Sequence, residues 1–257
     1  MDEPATLRHT VAEPEWQARL DLAACYRLAA LHGWTDLVYT HISARVPGPD
    51  EHFLLNPFGL AFDEITASSL VKIDLDGQLV DAPAGVEPPR IHRAGFVIHS
   101  AVHGARPDAR CVIHTHTRAG MAVSMLACGL LPLSQHAQLF HGRIGYHAYE
   151  GLATELEERE RLVRDLGDGA VLILRNHGLL VAGATVAQAF SMMFHLEKAC
   201  DAQLAAMATG GELTVPGEAV SRQTSARGFF GESSPLGRAE WPAMLRRLDR
   251  IDPSWRH

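Results

Sequence analysis

The stretch Arg110-Cys111-Val112-Ile113-His114-Thr115-His116 reads as a short buried strand that ends in two histidines. Side chains alternate across a strand, so His114 and His116 leave it on the same side. Two imidazoles on one face of a rigid strand supply half of a tetrahedral metal site or a third of an octahedral one. A third histidine, His177, ends a second apolar run and is followed by Gly178, where the chain can turn tightly. If the two strands are neighbours, three imidazoles converge. With 15 histidines in 257 residues, the same spacing also fits packed or exposed side chains, and the residues alone leave both readings open.

The bulk numbers narrow the classes. A chain of 257 residues makes one large domain or two small ones, and 47% apolar with 21% charged residues is ordinary for a globular protein. The net charge of −7, with no basic cluster, argues against a nucleic-acid partner. No apolar run approaches the roughly 18 residues of a membrane span, and the acidic start is unlike a signal peptide. Cys25, Cys111, Cys128 and Cys200 form no C-x-x-C and lie in apolar runs, as expected of reduced, buried thiols in a cytoplasmic protein.

The remaining elements must position the histidines. Apolar residues at helical spacing run from Glu13 to Leu31, with Pro14 at the start and Gly33 past the end. Residues 34–36 read as a turn. Residues 37–46 and 53–56 are strand-like and flank a Pro-Gly turn, and Asp76-Gly77 marks a second hairpin between 71–74 and 78–80. Residues 82–90 hold three prolines and read as a loop. Helices are expected over 91–105, 119–126, 154–166 with Thr154 as N-cap, and 185–208. Residues 135–150 read as loop and short strand walling the site. The alternation predicts an α/β protein: a three-layer α/β/α single domain with a mixed, largely antiparallel central sheet. Residues 1–12 read as a flexible N-terminal arm, 13–211 as that domain, and 212–257 as a C-terminal arm with a short helix.

The motifs come in a telling order. Thr40-His41-Ile42-Ser43-Ala44-Arg45 is followed by Asn56-Pro57-Phe58-Gly59, by Arg106-Pro107-Asp108-Ala109 with His114-Thr115-His116, and by Asn176-His177-Gly178-Leu179-Leu180. This resembles the class II aldolase/adducin family over roughly residues 15–210, and the end from Trp241-Pro242 to Asp252-Pro253 resembles its adducin-like branch. The resemblance implies an α/β/α fold and a homotetramer with sites at subunit interfaces. It also implies His114, His116 and His177 as ligands of a divalent metal ion, zinc first, with iron or manganese as alternatives. In the family's sugar-phosphate aldolases a glutamate completes the zinc site, and the metal stabilises an enediolate.

The sequence departs from that pattern at the glutamate. Its position, eleven residues before Arg106, is Gly95, which can neither ligate nor take a proton. The family's early asparagine corresponds to His41, and its paired serines to Arg93 and Ala94. A phosphorylated sugar therefore fits poorly, although Arg93 could meet an anion. His99, one helical turn after Gly95, is either a fourth ligand or a hydrogen-bond partner behind the ligands. His41, Arg45, Asn56, Gly59, Arg93 and Gln135 are the substrate-binding candidates; Tyr146, Tyr149 and His99 are the catalytic ones. Arg45 is equally readable as a structural ion pair, and Asn56 to Gly59 as a plain turn.

Three functions remain. The first is a metal-dependent lyase that breaks a C–C bond of a small hydroxy- or oxo-acid, by aldol-type cleavage or decarboxylation. The second is a non-haem iron oxygenase on an aromatic or oxo-acid substrate, by resemblance to fold members of aminocoumarin biosynthesis. The third is a non-catalytic, adducin-like interaction module. The three histidines favour an enzyme, and family analogy puts the lyase first.

Overall fold

The computed structural model describes residues 7–80, 89–151, 157–227 and 234–257. Its frame is one sheet of seven strands: β1 (His41–Arg45), β2 (Phe53–Leu55), β3 (Val71–Ile73), β4 (Cys111–Thr115), β5 (Ile144–His147), β6 (Val171–Leu174) and β7 (Gly178–Gly183). They lie in the order β3-β2-β1-β4-β7-β6-β5. Every neighbouring pair is antiparallel except β5 and β6, which run parallel. The helices are α1 (Leu7–Thr10), α2 (Glu13–Leu31), α3 (Arg93–Ala105), α4 (Arg118–Ser124), α5 (Gln135–Gln138), α6 (Glu158–Leu166), α7 (Val186–Ala208), α8 (Glu218–Ser225) and α9 (Glu240–Ile251).

Strand alternation sorts the apolar residues into two layers. Ile42, Ile113, Ile173 and Val181 join Leu22 and Tyr26 of α2 and Met192 and Leu196 of α7 in the larger core. Val112, Leu172 and Leu180 face the other way and are covered by Ile98 and Val102 of α3 and Leu162 and Leu166 of α6. Each fully buried side chain of this kind stabilises the fold by about 1.5–3 kcal/mol. The expected α/β/α layering with a mixed, largely antiparallel sheet is what the chain adopts. Thr185 caps α7 by accepting from the Gln188 N–H, and His92 caps α3 by accepting from the Gly95 N–H.

Several elements differ from expectation. The strand expected over 37–46 begins only at His41. The Tyr39 N–H bonds the Asp36 carbonyl in a turn, and Leu37 sits at φ 49° with 76% of its surface exposed. Residues 7–10 form a helical turn, fastened by an Arg8–Glu13 ion pair, where a loose arm was expected. Residues 135–150 resolve into α5 and the edge strand β5. The predicted N-cap Thr154 and most of the 82–90 loop lie outside the described residues. Cys25, Cys111 and Cys200 are buried, but Cys128 is exposed, which corrects the expectation of four buried thiols. The C-terminal helices pack onto α2: Trp241 donates to Asp21 at 3.0 Å, Arg27 meets Asp252 at 3.0 Å, and Trp255 is 1% exposed. No helix among the described residues is long and apolar enough to cross a membrane.

Candidate metal centre

The three histidines meet because β4 lies in the middle of the sheet. His114 is in β4 and His116 follows one residue past its end, while Thr115 between them turns to the α7 side. β7 pairs with β4 through Thr115 and Leu179 and with β6 through Leu174 and Gly178. Arg175, Asn176 and His177 are therefore the hairpin turn, with Asn176 at φ 57°, a conformation asparagine tolerates. A Cβ on Gly178 would stand 2.2 Å from the Thr115 carbonyl oxygen, so only glycine lets this turn approach β4.

The Nε2 atoms of the three rings point at one another. His114 Nε2 is 2.9 Å from His116 Nε2, which is 2.8 Å from His177 Nε2. The other nitrogens of two rings are engaged: His114 Nδ1 donates to the Leu179 carbonyl at 3.0 Å, and His116 Nδ1 to the Asp36 carboxylate at 2.9 Å. These bonds place the proton on Nδ1 and leave a lone pair on Nε2. Lone pairs facing at this separation repel unless a proton or a metal cation sits between them. Burial and the neighbouring imidazoles hold His114 well below the ordinary histidine range and His177 at about 4, so a proton is scarce at neutral pH. The donor set therefore fits a divalent cation that accepts imidazole nitrogen, such as zinc, iron or manganese.

The other candidates are more scattered. His41 pairs with His114 across β1 and β4, with ring centroids 5.3 Å apart. His99 does not join the three nitrogens; its Nε2 is 2.8 Å from His41 Nδ1. Arg45, at the far end of β1, grips the His103 carbonyl and lies 4.0 Å from Glu51. Asn56 is buried with its Oδ1 2.7 Å from the Tyr26 hydroxyl, while Gly59 sits in an exposed turn. Arg93 opens α3 and Gln135 opens α5, both exposed. The Tyr146 hydroxyl accepts the Leu130 N–H at 3.1 Å beneath Gly129, and its ring carries the Arg175 guanidinium. Tyr149 is 56% exposed and shares with His177 a small depression that also contains His147, Glu150 and Glu158.

Four residues of the centre were not singled out from the sequence. Asp36, within a predicted turn, orients His116. Ser43 bonds to both His103 and His99, behind His41. Glu197 of α7 takes the Thr115 and Thr117 hydroxyls at 3.2 and 2.7 Å, and burial lifts its pKa to about 7. One signal was available: Gly95, His99 and His103 repeat every four residues, and His41 and Ser43 share a strand face.

Residues 20–204 match the family described as Class II Aldolase and Adducin N-terminal domain. The structure superposes on an aldolase II superfamily protein from Pseudomonas syringae with a TM-score of 0.92, at 52% identity over 98% of this chain and 100% of that one. It superposes on the L-fuculose 1-phosphate aldolase from Glaciozyma antarctica PI12 with a TM-score of 0.82, at 30% identity over 99% of this chain and 97% of that one. Alpha-adducin from Rattus norvegicus is 44% identical over 245 residues, which cover 91% of this chain and 33% of the adducin.

Proposed function

The chain belongs to the class II aldolase and adducin family, and we infer from its three-histidine centre that it is a metal-dependent lyase cleaving a C–C bond of a small hydroxy- or oxo-acid. The observation that carries this reading is the convergence of three Nε2 atoms, with the Leu179 carbonyl and the Asp36 carboxylate orienting His114 and His116 and burial holding His114 and His177 below the ordinary histidine range. A divalent cation bound there, zinc first, would supply Lewis-acid stabilisation to the oxygen that gathers charge as the bond breaks.

The chain's own residues select the substrate. By resemblance, the family's early asparagine corresponds to His41, which is 2% exposed, and this favours an unphosphorylated acid. Tyr39, Phe58 and His92 form an aromatic rim beside His41, with centroids 5.1–6.2 Å apart, and suit a planar oxo-acid. The reading includes a cytoplasmic homotetramer with neither nucleic acid nor membrane as partner.

The test is to load the protein with zinc, manganese or iron(II) and follow pyruvate release from 4-hydroxy-2-oxo acids and CO2 release from 2-oxo dicarboxylic acids under nitrogen. Cleavage that disappears in His116→Ala supports the lyase. Turnover only with iron and dioxygen supports the oxygenase instead. The likeness to alpha-adducin favours one further reading, a non-catalytic interaction module, and a protein that takes up no metal would support that one.

A further inference from the structure

Behind the metal centre, four buried side chains form a hydrogen-bonded row. His103 Nδ1 is 3.1 Å from the Ala109 carbonyl oxygen and His103 Nε2 is 2.7 Å from Ser43 Oγ. Ser43 Oγ is 2.5 Å from His99 Nδ1, and His99 Nε2 is 2.8 Å from His41 Nδ1. His41 is 2% exposed and the other three are fully buried.

The row has a direction. A carbonyl oxygen only accepts, so His103 Nδ1 carries the hydrogen. Burial and the Arg45 guanidinium hold His103 at about 3, so the ring is neutral and its Nε2 accepts the Ser43 hydroxyl proton. Ser43 Oγ then accepts from His99 Nδ1–H, and His99 Nε2 accepts from His41 Nδ1–H. The polarity set at Ala109 arrives at His41 as a lone pair on Nε2. No described residue hydrogen-bonds to that atom. It lies 2.8 Å from where a Cβ on Gly95 would stand, the space in which a carboxylate side chain at residue 95 would begin.

We propose that His41 Nε2, presented by the row His103, Ser43 and His99, is the proton acceptor of the cleavage reaction, occupying the space that Gly95 leaves open. The proposal rests on the lyase reading. The substrate hydroxyl proton passes to His41 Nε2, and the O–H electron pair becomes the second bond of a carbonyl. The adjacent C–C bond breaks, and its pair passes to the neighbouring oxo group as an enolate. The proton then returns from His41 to the enolate carbon. One aldehyde and one oxo-acid leave, and no oxidant or further reactant is needed. In this scheme His41 is a catalytic residue, and His99, Ser43 and His103 are positioning residues.

Two measurements on the full chain test it. Long-range proton–nitrogen NMR of protein labelled with 15N-histidine reads the tautomers without any turnover. His41, His99 and His103 should all be Nδ1–H, and Ser43→Ala should leave His41 a mixture of tautomers. The second measurement follows deuterium exchange of pyruvate methyl protons in D2O by zinc-loaded protein. His41→Asn should slow exchange by about 10²–10⁴-fold while zinc content stays at the parental level. Ser43→Ala should lower kcat with KM unchanged, and Ser43→Thr should restore it. An Nε2–H tautomer on His41, or parental exchange in His41→Asn, overturns the proposal while the lyase reading stands. A parent protein that binds zinc but exchanges no pyruvate protons overturns both.

Discussion

Adding one methyl group at residue 95 tests the packing on which the site depends. An ideal Cβ there lies 2.5 Å from His41 Cδ2 and 2.8 Å from its Cγ and Nε2. Carbon atoms sit comfortably at about 3.5–4.0 Å, so the imidazole must move by roughly 1 Å. It is not free to do so, because His99 holds its Nδ1 at 2.8 Å and the His92 and His114 rings flank it. Overpacking costs about 1–3 kcal/mol, and a weakened buried hydrogen bond adds about 1 kcal/mol. The gain of alanine over glycine within a helix, about 1 kcal/mol, opposes this. Gly95→Ala should therefore destabilise the parent by about 1–3 kcal/mol. In a His41→Ala background the three nearest atoms that the methyl would meet are gone, and the same substitution should stabilise by up to about 1 kcal/mol. The double-mutant cycle should give a coupling of about 1–4 kcal/mol, read from urea unfolding of chelator-treated protein by circular dichroism. The same sign of effect in both backgrounds would show that the His41 ring does not crowd residue 95.

Three further outcomes are expected. An unfolded histidine takes a proton near 6.5, but folded His103 and His177 do so only at about 3 and 4, and burial shifts His41, His99 and His114 the same way. The unfolded chain then binds more protons below that pH, so stability of the metal-free protein should fall as pH drops, by about 1.4 kcal/mol per unit for each such group; a urea midpoint that stays flat from pH 6.5 to about 4.5 would contradict this. Glu197 runs the opposite way: its pKa is raised from 4.5 to about 7, so the stability it brings is full below 4.5 and is lost as pH rises through 7. Glu197→Gln should gain about 1–3 kcal/mol on the parent between pH 5 and 8, and a gap that does not change with pH would count against the buried carboxyl. Arg19 is 3% exposed, pairs with Glu15 at 2.9 Å and donates to the Leu70 carbonyl at 2.7 Å; Arg19→Met should cost about 3–5 kcal/mol, seen as a thermal midpoint lowered by roughly 6–20 °C.

The fold was legible where local pattern decides it. Alternation put Val112 and His114 on one face and Ile113 on the other, and the 3.6-residue period of α2 and α7 marked their buried stripes. The meeting of His177 with His114 and His116 depends on β7 pairing with β4, which no local spacing encodes; Gly178 was the single local hint. Asp36 was hidden because its role comes from a turn with Leu37 at positive φ, a conformation that leucine does not advertise. The helical spacing puts His99 on the correct helix face, yet its partner is His41 rather than the three-histidine cluster, because the missing side chain at Gly95 lets that ring lie between them. Residue type and strand position make Arg45 and Asn56 candidates, but tertiary partners, the His103 carbonyl and the Tyr26 hydroxyl, engage both.

The inferred lyase depends on His114, His116 and His177 holding a divalent cation. Elemental analysis of freshly purified protein, beside a His114→Ala/His116→Ala double variant, tests it most directly. Zinc, or else iron or manganese, is expected near one per chain in the parent and none in the variant. A parent that stays metal-free after reconstitution, or a double variant that keeps the same metal content, would contradict it.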